Sequence, residues 1–324
     1  MRFITPSLAL FLSIIVVGAS LPNGNLDISA RHSRLAHRAT SLEARAPEKR
    51  CANRVNKKAN NTNTPNNLVA DKATTSSKPA SKKPAPTKAA APPPPPKQVS
   101  TSGLIKVNSG CGPSRATREI TRVSGPNGHI DWLNCGFETA GGWQPPFVRV
   151  QDVVTQSLSS ALQSPSSPFK ACSRYIGIFE KYGNQFGIPP IILASFAMQE
   201  SGCNPETVGG GGEQGLMQIT REKCGGAPGG NCREPDFNIR TATKFFANTL
   251  ANNGGNVLLS VGAYNGWHKG LTRSKAFAAA TSSCCRCQNN GDYLHQFFNG
   301  WCQNINSYDQ RLRLGKYFNL DRCG

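Results

Sequence analysis

The distribution of cysteine and proline along the chain is the strongest constraint on what it can fold into. Eleven of the twelve cysteines lie after residue 103, whereas residues 52–103 contain none and include five consecutive prolines at positions 92–96. A segment rich in Pro, Lys, Ala and polar residues cannot bury enough apolar surface to offset the entropy of ordering its backbone. We therefore predict a disulfide-linked folded part from residue 104, preceded by a disordered Pro/Lys-rich stalk over residues 51–103.

The charge of the chain is strongly basic but unevenly placed. The 324 residues include 37 Lys or Arg and 18 Asp or Glu, which gives a formal net charge of +19. Residues 1–103 contribute 16 of the basic and 4 of the acidic side chains. Because most of the basic excess lies outside the predicted folded part, it argues against a nucleic-acid-binding domain and favours attraction to anionic surfaces. We expect a monomer.

The first residues are typical of a secretory signal peptide. Arg2 precedes a short apolar run that ends at Val17, and the small residues Gly18-Ala19-Ser20 follow it. This pattern predicts a signal at residues 1–19, cleavage after Ala19, a secreted extracellular protein and no membrane span after signal removal. The alternative is an N-terminal membrane anchor, which a short run interrupted by Pro6 disfavours.

A dibasic pair, Lys49-Arg50, ends a polar and Arg-rich stretch. It resembles a processing site for a fungal-type secretory protease. Residues 20–50 are therefore predicted to be a propeptide that leaves Cys51 at the mature N-terminus. An uncut basic coil is the alternative.

A secreted chain meets an oxidising environment, so its cysteines are expected to form disulfides. We predict one pair, Cys224 with Cys232, because these residues flank a Gly/Pro-rich loop. The number of cysteines after residue 103 is odd, so one of them pairs with Cys51, pairs with another chain or stays free. The cysteines at positions 284, 285 and 287 are too close together for a zinc finger, and we expect no metal and no cofactor.

Residues 104–166 are predicted to form a small disulfide-pinned extension that packs on the main domain. Cys111 and Cys135 bracket a Gly/Pro-containing stretch, and further apolar residues follow. A separate sugar-binding module built on Trp132 and Trp143 is the alternative.

The pattern of apolar residues becomes helical from about residue 168, and no alternating strand pattern appears. One helix is expected from Pro168 until Gly183 stops it. A second, apolar nearly all round and therefore buried, is expected at residues 190–201 before Gly202. Further helices are predicted near 236–250, from 257, near 290–303 and near 307–318. The fold class is mainly α, with long crosslinked loops.

Glu200 is the one charged residue in the apolar helix at 190–201, and it lies at the C-terminal end. Apolar surroundings and the negative end of the helix dipole both disfavour an ionised carboxylate. Both effects are expected to raise its pKa, which suits a general acid that works near neutral pH. The alternative is a structural glutamate that turns to solvent at a helix end.

Four sequence blocks accompany Glu200 in a fixed order: Glu200-Ser201-Gly202-Cys203-Asn204-Pro205, Gly215-Leu216-Met217-Gln218-Ile219, Asp236-Phe237-Asn238-Ile239 and Ala263-Tyr264-Asn265-Gly266. In that order and at those intervals, residues 170–270 resemble the lytic transglycosylase (SLT) domain of glycoside hydrolase family 23. That family is related in fold to goose-type lysozyme. The resemblance implies a lysozyme-like helical catalytic domain over residues 167–324.

The resemblance also implies roles for five residues. Glu200 would be the catalytic acid that protonates the glycosidic oxygen between amino sugars. Gln218 would line the groove beside it, and the backbone at Met217 would contact an N-acetyl group of the substrate. Tyr264 would position Glu200, and Asn265 would bind sugar. Met217 and Tyr264 have a simpler interpretation as core residues.

The chain departs from the family pattern in ways that affect the mechanism. Cys203 stands where an aromatic or other residue is common, and we expect it to form a disulfide that fixes the helix end. Goose-type enzymes often have an aspartate just after the second block, whereas this chain has Thr220. Glu213 is then the only nearby candidate for a second carboxylate. The alternative is that Glu213 is a charged loop residue exposed to solvent.

These departures leave two reactions open. With Glu200 alone, the N-acetyl group or the 6-hydroxyl of the sugar attacks after protonation, and attack by the hydroxyl gives an anhydro sugar. If Glu213 faces Glu200 across about 6.5–9.5 Å, it activates water for inverting hydrolysis.

The resemblance implies an enzyme that cleaves β-1,4 bonds between N-acetylmuramic acid and N-acetylglucosamine in bacterial peptidoglycan. Because fungi lack peptidoglycan, the target of a fungal enzyme would be foreign bacteria. One alternative is a chitin or chito-oligosaccharide hydrolase, since N-acetylhexosamine units are shared by both polysaccharides. The other is a non-catalytic wall-binding protein, for which Glu200→Gln would change nothing.

Overall fold

The computed structural model describes residues 98–99, 103–209 and 212–323. The predicted signal, the predicted propeptide, Cys51 and nearly all of the predicted stalk lie outside the described residues. No helix within the described ranges is both long enough and apolar enough to cross a membrane.

The described part of the chain is helical, with almost no strand, so the predicted mainly α class is confirmed. Two short strands, β1 (Gln98–Val99) and β2 (Glu119–Ile120), pair antiparallel. The α-helices in chain order are α1 (Ile130–Leu133), α2 (Leu158–Gln163), α3 (Ile176–Phe186), α4 (Pro190–Ser201), α5 (Pro235–Asn252), α6 (Val257–Tyr264), α7 (Arg273–Ala276) and α8 (Tyr293–His295). A π-helical turn, Gln296–Gly300, follows α8, and 3₁₀ turns include Pro168–Tyr175 and Trp301–Gln303.

Helix α4 is buried and spans residues 190–201, as predicted. Its proline at the first turn costs no hydrogen bond, because the first N–H groups of a helix have no intrahelical acceptor. Every residue from Ile191 to Glu200 is buried. The helix ends at Gly202, whose left-handed backbone (φ 61°) lets its N–H reach the carbonyls of Ala197 and Met198.

The residues before α3 share one hydrophobic core with the helices. Trp132 is 2 % exposed and Trp143 is fully buried, and the Trp143 ring lies edge-on to Trp267. A buried indole cannot stack on a sugar ring in solvent, so neither tryptophan offers a surface for a separate sugar-binding module. The domain boundaries themselves stay predictions.

Five disulfides lie within the described residues: Cys111–Cys135, Cys172–Cys203, Cys224–Cys232, Cys284–Cys287 and Cys285–Cys323. The predicted Cys224–Cys232 pair is confirmed, and Cys203 is disulfide-bonded as expected. Cys302 is the cysteine left free among them, and it is buried, 3.7 Å from the hydroxyl of Ser195.

The prediction that Gly183 ends the first helix is wrong. Residues 168–175 form a 3₁₀ turn, and α3 then continues through Gly183 to Phe186. A Cβ at Gly183 would lie 2.7 Å from the carbonyl oxygen of Ile188, so glycine there permits close packing of the α3–α4 connection. Gly187, with φ 66°, is the residue that ends α3.

The helix predicted near 307–318 is also wrong, because that segment forms turns. The carboxylate of buried Asp292 accepts the backbone N–H groups of Lys316, Tyr317 and Phe318 at 2.7–3.0 Å. A side chain thus binds the donors that a helix would use internally. The region near 290–303 is helical as predicted, although it combines α, π and 3₁₀ turns.

Candidate active site

Glu200 lies in the last turn of α4 and is fully buried. Two features anchor this helix end. The Ser201 hydroxyl donates to the carbonyl of Leu216 at 2.7 Å, and Cys203 is joined to Cys172 by a disulfide. This placement confirms that Glu200 is buried and does not turn to solvent. Its carboxyl is therefore held at a fixed point beside residues 215–219.

Three tyrosines from three different segments lie within electrostatic reach of Glu200. Burial and the negative charge of Glu200 raise the pKa of Tyr264 well above its usual value. The same two causes raise the pKa of Tyr293, to which a hydrogen bond with Glu200 also contributes. Burial, followed by the Glu200 charge, raises the pKa of Tyr308. The acid is thus surrounded by phenols that stay protonated, and we call these three residues the tyrosine cluster.

Met217 is tied to the tyrosine cluster through its backbone. The hydroxyl of Tyr264 donates to the Met217 carbonyl at 3.1 Å. The Met217 N–H donates to Oδ1 of Asn238 at 2.9 Å. The N–H and the carbonyl of Met217 therefore each have a partner within the protein.

Asn238 organises the loop before α5, and sequence reasoning assigned it no role. Its Nδ2 donates to the carbonyls of Gln214 and Cys232 at 2.8 and 2.9 Å. Gly215 lies directly against this amide, and a Cβ there would collide with it. Its position inside the third sequence block was the available signal.

Gln218 and Glu213 lie together on the other side of the same loop, and both are buried. The Gln218 Nε2 donates to the carbonyls of Thr207 and Gly215 at 3.0 and 2.8 Å, which fixes the direction of its amide. Its Oε1 is buried and has no donor among the described residues. A Cβ at Gly209 would collide with Oε2 of Glu213 and lie 2.8 Å from Oε1 of Gln218, so both side chains pack against this glycine.

Glu213 lies in the loop after α4 and is 2 % exposed. The interpretation of Glu213 as a solvated loop charge does not fit its burial. Gly209 and Gln218 are among its neighbours.

Asn265 follows Tyr264 and is held by two residues of the C-terminal segment. Its Oδ1 accepts the N–H of Asn290 at 3.0 Å, and its carbonyl accepts from Nδ2 of Asn289 at 2.7 Å. Its own Nδ2 is buried without an acceptor in the described part of the chain. Buried polar groups normally have partners, so this donor and the Oε1 of Gln218 are suited to a ligand or to water.

A cavity of about 280 Å³ borders the site on the side of the C-terminal segment. Its lining includes Tyr308 of the tyrosine cluster, Asn290, which binds Asn265, and Gln296. Sequence reasoning missed Tyr293 and Tyr308, because neither lies in the four blocks and no local pattern places them beside Glu200. Within residues 103–209 and 212–323, no group of three or more His, Cys, Asp or Glu is arranged to hold a metal.

A helical, disulfide-linked domain with a carboxyl buried at the end of its central helix has the features of a lysozyme-like glycosidase. Residues 177–281 match the family model of the transglycosylase SLT domain. The matched segment covers about a third of the chain and contains all four sequence blocks. It supports a lytic transglycosylase-like enzyme, to which the residues after 281 add Tyr293 and Tyr308.

Proposed function

We propose that the chain is a secreted glycosidase that cleaves the β-1,4 bond between N-acetylmuramic acid and N-acetylglucosamine in bacterial peptidoglycan. The observation that carries the proposal is the buried Glu200 facing the tyrosine cluster, within a segment that matches the transglycosylase SLT domain. The four sequence blocks further favour glycoside hydrolase family 23, a family related in fold to goose-type lysozyme.

Glu200 is the general acid in this proposal. Burial disfavours a carboxylate relative to the neutral acid, and a neutral acid holds the proton that the reaction needs. The proton passes to the bridging oxygen, the bond from this oxygen to C1 of muramic acid breaks, and the leaving sugar departs as an alcohol. The resulting Glu200 carboxylate is stabilised by neighbouring phenols, above all Tyr293.

The second step is intramolecular transglycosylation. The 6-hydroxyl of the muramic acid attacks its own C1, the new C–O bond forms, and the hydroxyl proton returns to Glu200. The product is an anhydro sugar, and no water is consumed. The match to the transglycosylase SLT domain supports this route over inverting hydrolysis, which needs a second carboxylate to activate water.

Amide groups near Glu200 supply sugar-binding functions. The Oε1 of Gln218 accepts from a substrate N–H or hydroxyl, and the Nδ2 of Asn265 donates to a substrate oxygen. Both atoms are buried without partners among the described residues, and both amides are fixed by other bonds. Because Glu200 is also fully buried, a glycan reaches its carboxyl only when a covering side chain is displaced.

Secretion is part of the proposal. Five disulfides in the described residues suit an oxidising extracellular compartment, and residues 1–19 have the pattern of a signal peptide. The fungal-type Lys49-Arg50 site and the basic residues 51–103 fit an enzyme released against foreign bacteria, whose walls are anionic.

Mass spectrometry of digested peptidoglycan tests the proposal. Transglycosylation gives muropeptides with anhydro ends, lighter by one water than hydrolytic products. Hydrated reducing ends would assign the attack to water. Cleavage of chito-oligosaccharides without cleavage of peptidoglycan would favour the chitinase alternative, and binding to walls without any cleavage would favour the non-catalytic alternative.

A further inference from the structure

A second cavity, of about 480 Å³, lies between α5 and the loop that the Cys224–Cys232 disulfide closes. Its cationic lining comes from Lys223, Arg240 and Lys244, and its aromatic lining from Phe237 and Phe245. We call it the basic groove. None of its nine lining residues is acidic.

Arg240 and Lys244 are one helical turn apart on α5 and are both exposed. Neither forms a salt bridge with a carboxylate among the described residues. Like charges four residues apart on a helix destabilise it slightly. An anion bound between them would remove that repulsion.

The aromatic rings give the groove an apolar wall. The ammonium of Lys223 lies 4.5 Å from the centre of the Phe245 ring, and the guanidinium of Arg240 lies 5.6 Å from that of Phe237. Lys223 also contacts Glu222 at 3.2 Å, so part of its charge is neutralised. The groove therefore combines an apolar surface with two exposed cations that form no salt bridge among the described residues, although Arg240 also acts electrostatically on Asp236.

One wall of the basic groove packs against the candidate active site. The Phe245 ring meets the Tyr264 ring with 6.3 Å between centres, and Tyr264 belongs to the tyrosine cluster. On the other wall, the Lys223 ammonium donates to the hydroxyl of Thr220 at 2.7 Å, two residues after Gln218. The basic groove therefore borders both the helix that carries Tyr264 and the loop that carries Gln218.

We infer that the basic groove binds the stem peptide of peptidoglycan through the peptide carboxylates. This inference rests on the proposed function, because the stem peptide hangs from the lactyl group of the muramic acid whose C1 reacts. The peptide carries carboxylates for Arg240 and Lys244 and small apolar side chains for Phe245. Charge complementarity therefore selects an anionic peptide over a neutral sugar as the occupant.

The first test compares two substrates. Arg240→Gln/Lys244→Gln is assayed on purified peptidoglycan freed of teichoic acid, and on the same glycan after an amidase has removed the stem peptides. We expect kcat/KM to fall about tenfold on the peptide-bearing strands and to stay within twofold on the bare glycan, as loss of two exposed charge contacts predicts. An equal loss on both substrates, or no loss on either, would overturn the inference.

The matched control is Arg118→Gln/Lys170→Gln. Both of these residues are exposed and form no salt bridge within the described part of the chain, and the double change removes the same charge. We expect it to leave both rates unchanged. A loss equal to that of the groove variant would mean that net charge, and not the groove, attracts the substrate.

The second test does not depend on catalysis, so it separates failure of this inference from failure of the proposed function. The N-acetylated tripeptide L-Ala-γ-D-Glu-L-Lys and its carboxyl-amidated analogue are titrated into the full chain by NMR. The expected result is at least tenfold tighter binding of the free acid, lost in the groove variant. Equal binding of the two peptides, or tighter binding of a poly(glycerol phosphate) chain, would contradict a stem-peptide site.

Discussion

The hydroxyl of Tyr264 donates a hydrogen bond to the carbonyl oxygen of Met217, 3.1 Å away. The same phenol lies within the electrostatic field of Glu200, and its ring packs on Phe196 with 4.3 Å between centres. One side chain of α6 thus fixes the distance between the proposed acid and the loop at residues 215–219. The function of Tyr264 is therefore positional.

Tyr264→Phe removes that bond while keeping the ring. We expect kcat to fall about tenfold, because a shift of the loop that costs about 1.4 kcal/mol in the transition state has that effect. Steady-state kinetics on peptidoglycan measure it. Tyr175→Phe, which removes a hydroxyl from a buried tyrosine outside the tyrosine cluster, is the control and should keep wild-type kcat. An equal fall in kcat for Tyr264→Phe and Tyr175→Phe would contradict a positioning role for Tyr264.

Asn238→Ala leaves three buried backbone groups without their partner: the N–H of Met217 and the carbonyls of Gln214 and Cys232. Each unpaired buried group costs on the order of 1–3 kcal/mol, although relaxation and water recover part of it. We expect the free energy of unfolding to fall by about 2–4 kcal/mol in urea titrations. Asn252→Ala, on the exposed face of the same helix, should change it by less than about 0.5 kcal/mol.

The Cys172–Cys203 disulfide spans 31 residues and holds the end of the helix that carries Glu200. Replacing both cysteines by serine is expected to lower the free energy of unfolding by about 3–4 kcal/mol, as the chain-entropy estimate gives for this loop. The Cys284–Cys287 disulfide spans only 3 residues, and its removal should cost roughly half as much. Urea titrations of the two double variants compare them, and a larger loss for Cys284–Cys287 would reject the loop-length argument.

Buried His295 is expected to make the stability of the fold depend on pH. Its Nδ1 accepts from Nδ2 of Asn299, whose orientation is fixed because its Oδ1 accepts the N–H of Asn127. Burial lowers the pKa of His295 to about 4, below the 6.5 of an unfolded chain. Between these values the unfolded chain binds a proton that the folded chain excludes, so stability falls as pH decreases through this window, by up to about 3 kcal/mol.

His295→Gln tests this by removing the titrating group. Melting temperatures measured from pH 7 to pH 4 should fall more steeply for the wild type than for the variant. Parallel curves would show that other groups carry the acid sensitivity.

The sequence was sufficient for the central helix and for the burial of Glu200 in its last turn. Proline at the start, glycine at the end and a largely apolar sequence between them specify α4 locally, and Glu200 stands out because it is the one charged residue in that helix. The four blocks similarly point to Met217, Gln218, Tyr264 and Asn265.

Features that depend on contacts between residues far apart in the sequence could not be predicted from the sequence. Gly183 is a helix breaker by intrinsic preference, but the carbonyl of Ile188 occupies the space that a Cβ would need. The segment near 307–318 has apolar residues at helical spacing, yet Asp292 captures its backbone donors. Tyr293 and Tyr308 lie near Glu200 only because of the tertiary fold, and no local sequence pattern indicates this proximity.

The most direct test of the central claim is the initial rate of peptidoglycan solubilisation by Glu200→Gln, measured beside Glu213→Gln and the wild type. Loss of a general acid predicts a rate at least about 100-fold lower for Glu200→Gln at an unchanged melting temperature, with Glu213→Gln within a few-fold of wild type. A folded Glu200→Gln variant that cleaves peptidoglycan at nearly the wild-type rate would contradict the account.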